Sequence, residues 1–127
     1  MARVVRDLDL EAGGRDVATA RHLVEESLED DTFEGCRDDV VLAVSELVTN
    51  ALVHGHGDVH LHLSATEAVV RVEVTDRSSR RPRVVDASPD ATGGRGLHIV
   101  EVVSSRWGID DNGEGGKTVW CEIATSS

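Results

Sequence analysis

The sequence predicts an α+β fold: a two-layer sandwich with about three helices on one face of a mixed, mostly antiparallel sheet of four to five strands. Three observations lead there. Two long stretches carry apolar residues at helical spacing, while several short ones alternate apolar with polar residues. The length of 127 residues suits a single domain, 1–127, with one core. Aromatic residues make up only 2%, so that core must be built from Val, Leu, Ile and Ala.

A short first strand is expected around Arg3 to Leu10. Val17, Ala20, Leu23, Val24 and Leu28 then recur with helical period, giving a helix from about Gly14 to Glu29. Acidic and turn-forming residues, Glu29 to Thr32, break it. A second helix runs from Phe33 or Arg37 to His54, with Val40, Val44, Leu47, Val48 and Ala51 as its buried stripe. Gly55 and Gly57 end it. In the next strand Val59, Leu61 and Leu63 alternate with His60 and His62, and in its neighbour Val70, Val72 and Val74 alternate with Arg71 and Glu73. A loop from Arg77 to Thr92, a short helix from about Gly96 to Ser105, and strands around Trp107 to Asp110 and Lys117 to Ala124 complete the chain.

The net charge of −11 argues against nucleic acid and against a membrane surface, both of which favour a basic patch. No apolar run approaches the ~20 residues of a membrane span, and no signal-peptide apolar region opens the chain. A cytoplasmic location is the expectation. Cys36 and Cys121 are too far apart for a metal or redox motif. His54, His56, His60 and His62 raise the question of a metal site, but nothing is placed to complete a tetrahedral shell. A polar outer sheet face accounts for them at less cost. The arginines Arg77, Arg80, Arg81 and Arg83 read either as a solvated loop or as a cover for phosphates or an acidic partner.

Glu46, Asn50 and His54 recur every fourth residue, so they line one edge of the second helix beside its apolar stripe. A carboxylate and an amide in that setting need partners. Either Asn50 caps a loop and Glu46 meets an arginine, or the two serve a ligand. Asp76 continues the parity of Val70, Val72 and Val74, which aims its carboxylate at the packed side. There it can accept from a buried donor such as an exocyclic base amine, or simply open a turn. Gly93, Gly94 and Gly96 let backbone N–H groups approach a ligand at the start of a helix, whose N-terminus favours an anion. The pattern is neither a Walker motif nor a dinucleotide fingerprint.

In this order the segments resemble the GHKL (Bergerat) ATP-binding fold of gyrase-type ATPases, histidine kinases and anti-sigma-factor kinases. Ser45 to His54 is similar to its N box, Val74-Thr75-Asp76 to its adenine-binding strand, and Gly93 to Val100 to its glycine box. Gly115 to Trp120 is similar to its last strand, whose threonine lies near the adenine. The closest likeness is to stand-alone anti-sigma-factor serine/threonine kinases of the kind common in actinobacteria.

The resemblance implies ATP and Mg²⁺ as ligands. Glu46 would be the general base and Asn50 the Mg²⁺ ligand. Asp76 and Thr118 would hold adenine, and Gly93, Gly94, Gly96 and Leu97 the phosphates. The expected activity is phosphorylation of a STAS-domain anti-sigma antagonist, with sequestration of a sigma factor as a further role. The alternative is a non-catalytic module, ATP-binding or ATP-independent, that captures its partner. By the same resemblance, the outer sheet face and first strand would support a homodimer. One departure stands out: Ser78 replaces the first glycine of the Asp-x-Gly-x-Gly pattern found in many members, and no glycine follows until Gly93.

Overall fold

A computed structural model describes residues 2–10, 15–54, 58–76, 92–111 and 116–126, and omits the side chains at positions 15–16, 54 and 92–96. Five strands and three α-helices follow one another as β1 (Val4–Leu10), α1 (Arg15–Ser27), α2 (Arg37–His54), β2 (Val59–Ala65), β3 (Val69–Asp76), α3 (Thr92–Val103), β4 (Arg106–Asp111) and β5 (Lys117–Ala124). The sheet order is β1-β2-β3-β5-β4, and every pairing is antiparallel. No parallel pair occurs among the described strands, so the sheet is simpler than the mixed one expected.

Strand parity decides which side each residue serves. In β2 and β3 burial alternates strictly, with Val59, Leu61, Leu63, Val70, Val72 and Val74 all buried. These side chains join Ala20, Val24 and Leu28 of α1, Val40, Ala43, Val44, Leu47 and Val48 of α2, and Val100 of α3 in one core. Cys121 and Ile123 extend it along β5. Burial raises the Cys121 thiol to about 11, which keeps it a neutral packing group. The helices therefore cover one face only, and α2 lies between α1 and α3 over the middle of the sheet.

The break between the first two helices is better ordered than its sequence suggests. Asp30 accepts the Thr32 amide at 2.8 Å and caps a 3-10 turn over Asp31–Phe33, which seats Phe33 in the core. Arg37 then reaches back with Nε to the Leu28 carbonyl at 2.6 Å and with a terminal nitrogen to the carbonyls of Glu29 and Asp30. Those carbonyls belong to the link that follows α1, so one guanidinium ties that link to the start of α2. The 3-10 turn thus ends at Phe33, the earlier of the two starts expected for α2, a further turn covers residues 34–36, and the α-helix proper begins at Arg37. α3 begins at Thr92 rather than near Gly96, so Gly93, Gly94 and Gly96 lie within its first turns. The loop expected between Arg77 and Thr92 falls outside the described residues up to position 91.

Candidate functional site

Three elements end or begin at one pole of the molecule. β3 terminates at Asp76, and Asp76 pairs with Val59, the first residue of β2, a few positions beyond the end of α2. Lys117, which opens β5, is the other neighbour of Asp76. The chain returns from β3 to begin α3 at Thr92.

The pole of α3 follows from the opposite end of the molecule. Asp39, in the first turn of α2, shares a cleft with Val103, Ser104 and Ser105 at the end of α3. The two helices pack together, so they run antiparallel, and the end of α2 lies toward the start of α3. Glu46 is two turns beyond Asp39 and Asn50 one turn further, so both occupy the shoulder of α2 that faces α3.

Glu46 and Asn50 are both half-buried, whereas Thr49 between them is exposed. Half burial on a helix–helix shoulder keeps a carboxylate and an amide accessible from one direction while their stems are packed. Asp76 is only 8% exposed, the one buried carboxylate among the described residues. Its burial follows from parity, because it extends the inner row of Val70, Val72 and Val74 to the rim of the sheet. Leu97 is half-buried and packs against the core, anchoring the first turns of α3. The side chain of His54 lies outside the described set.

Thr118 is not brought to this place. The register pairs it with Thr75, and the two hydroxyl oxygens are 2.9 Å apart on the outer face of the sheet. Asp76 and Lys117 share the inner face. Thr118, expected to help hold adenine, thus has its hydroxyl on the face opposite to the Asp76 carboxylate. The residue that the last strand presents beside Asp76 is Lys117. Alternation in β5 signals this, since Val119, Cys121 and Ile123 share Lys117's parity.

The remaining histidines of the sheet are engaged elsewhere. On the outer face His60 lies between two carboxylates, with Nδ1 2.6 Å from Asp9 and Nε2 2.8 Å from Asp7. His62 Nδ1 meets the same Asp7 oxygen at 2.7 Å. Contact with Asp9 and then Asp7 holds the His60 pKa above its usual value, while His62 and His60 hold Asp7 below the usual carboxylate value. Among the described residues no group of three or more His, Cys, Asp or Glu side chains is placed to share a metal ion. His56 lies outside them.

An antiparallel sheet covered on one face by three helices, with a buried carboxylate at its rim and an acid–amide pair on the facing helix, defines the class of GHKL-type ATP-binding domains. The model of the histidine kinase-like ATPase domain matches residues 10–123, and the chain belongs to that family. The chain is also similar to the crystal structure of the RsbU and RsbW domains of Rv1364c from Mycobacterium tuberculosis, with 25% identity and a TM-score of 0.67. That match covers 94% of this chain and 31% of the other, so this chain spans about a third of that protein's length. No curated protein matches it. Among the described residues no helix is long and apolar enough to cross a membrane.

Proposed function

We propose that the protein is a Mg·ATP-dependent serine/threonine kinase of the anti-sigma-factor type, acting on a STAS-domain antagonist and also sequestering a sigma factor. The observation that carries the reading is that Glu46 and Asn50, one turn apart on α2, are both half-buried while Asp76 is buried at the end of β3. The likeness to a structure containing an RsbW domain supports the choice of kinase type within the family.

The roles follow from chemistry. Asp76, held inward by its strand, accepts from the adenine amine. Gly93, Gly94, Gly96 and Leu97 offer backbone N–H groups at the start of α3, where the helix dipole favours phosphate. Glu46 takes the proton of the attacking hydroxyl, the work of a general base. An amide oxygen beside a carboxylate is the donor set a hard cation accepts, so Asn50 would hold Mg²⁺, with Glu46 close by. When bound, that ion supplies neutralisation of phosphate charge. Phosphoryl transfer asks mainly for positioning and charge stabilisation, so few side chains suffice.

Glu46→Gln separates this reading from capture alone. Incubation with γ-labelled ATP and a STAS-domain antagonist should label the antagonist on serine or threonine, and Glu46→Gln should lower the rate by about a hundredfold or more while ATP still binds. No label with the native protein, together with undiminished antagonist binding, would instead leave the capture module.

A further inference from the structure

We infer that Lys117 is the last-strand residue that reads the nucleotide base together with Asp76. The inference rests on the ATP-binding reading above and deepens it by naming which ligand atoms the pair recognises.

Asp76 and Lys117 are direct cross-strand neighbours, and both belong to the inner row that continues Val74 and Val119. Directly opposed residues on one face hold their Cβ atoms about 5 Å apart. Lys117 is half-buried at the rim, and a lysine in that setting can lay its aliphatic stem on apolar surface while keeping its ammonium in the opening. Its position is set by the backbone before it. Gly116 is buried and has φ 95°, a conformation that side-chain-bearing residues rarely adopt, so the chain enters β5 at a defined point. A shift of one residue would exchange Lys117 for Thr118 on the inner face, and the Thr75–Thr118 hydroxyl contact on the outer face marks the register that prevents it.

The two side chains present complementary chemistry. An ionised carboxylate only accepts hydrogen bonds, and an ammonium only donates them. Adenine carries a donor, its exocyclic amine, flanked by two ring acceptors, N1 and N7. Asp76 takes the amine, and Lys117 donates to one of the flanking nitrogens. A hydroxyl in that place could donate or accept; an ammonium requires an acceptor on the ligand. Lys117 thereby contributes base selectivity as well as affinity.

The test is calorimetric titration of Mg·ATP, Mg·1-deaza-ATP and Mg·7-deaza-ATP into the native protein, Lys117→Met, Lys117→Arg and Thr118→Val. Each deaza analogue lacks one ring acceptor. The native protein should bind one of them about tenfold more weakly than ATP, the loss of one hydrogen bond from a charged donor. Lys117→Met should bind ATP about as weakly as that analogue and no longer tell the two apart. Lys117→Arg, which keeps a donor and guards against a folding artefact, should restore discrimination. A purely structural Lys117 would change all three nucleotides alike. The inference is overturned if both analogues bind the native protein as ATP does, if the penalty survives in Lys117→Met, or if Thr118→Val erases it. Failure of the native protein to bind any of the three overturns the ATP reading itself, a result distinct from each of these.

Discussion

The two faces of the sheet are held together by opposite chemistry. The inner face is a dry row of Val, Leu, Cys and Ile closed by helices, and its one buried carboxylate, Asp76, stands at the rim. On the outer face, polar side chains satisfy one another across strands. Asp7, Asp9, His60 and His62 join β1 to β2. Arg71 bridges Glu73 and Glu122 at 2.7 Å each while stacking 4.4 Å from the Trp120 ring centroid. Arg106 adds a second cation 5.6 Å from the same ring. A polar group on the outer face is therefore ordinary, and a buried carboxylate on the inner face is the exception among the described residues. That difference, rather than residue type, is what singles out Asp76 from the other aspartates.

The contrast can be broken at matched positions. Leu61 and His62 are neighbours on β2 with opposite parity. Leu61→Ala empties fully buried space and should cost about 2–5 kcal/mol in denaturant unfolding. His62→Ala should stay within about 1 kcal/mol, because its ion pair is partly exposed. Equal costs would mean that the two faces are not packed differently.

A smaller effect probes how the outer face seats its tryptophan. Gly108 opposes Trp120, and a Cβ built on it would lie 2.8 Å from the indole ring. Gly108→Val should cost about 1–3 kcal/mol by forcing the ring aside and should shift Trp120 emission. An unchanged spectrum would place the indole elsewhere.

The smallest effect is a pH dependence of the outer face alone. A raised His60 pKa means its contribution is complete below the ordinary value of 6.5 and is lost as pH rises through the folded value. A lowered Asp7 pKa contributes above its ordinary 3.8 and is lost as pH falls through the folded value. The Asp–His group therefore strengthens β1–β2 pairing most between those two ordinary values. Protection of β1 amides, taken as exchange relative to the intrinsic base-catalysed rate at each pH, should fall above neutrality, and the Asp7→Asn, Asp9→Asn protein should lose that dependence. Charged groups around the histidines are Asp7 and Asp9 from β1 and, opposite His62, Glu73 from β3. A slope that survives the double substitution would assign the dependence to Glu73 or to another group.

Much of this arrangement is legible in the sequence, because alternation and helical spacing are local. The parity of Val70, Val72 and Val74 aims Asp76 inward without any structure, and the stripe of α2 puts Glu46 and Asn50 on its shoulder. β5 is harder to read, since Val119-Trp120-Cys121 is a continuous apolar run in which Trp120 points outward. That run blurs the alternation that separates Lys117 from Thr118. The Asp–His group and the Arg37 cap depend on the pairing of distant segments, so their partners cannot be named from spacing. The start of α3 at Thr92 overrides the poor helix propensity of its glycines.

The central claim is that the inner-face carboxylate at the rim of β3 is the base-recognition point of an ATP site. Calorimetry with Mg·ATP on native protein and Asp76→Asn tests it most directly, with thermal unfolding as the control for folding. The account predicts saturable one-to-one binding by the native chain and a loss of about tenfold or more in Asp76→Asn, with unfolding nearly unchanged. Equal affinity in a folded Asp76→Asn protein would contradict it.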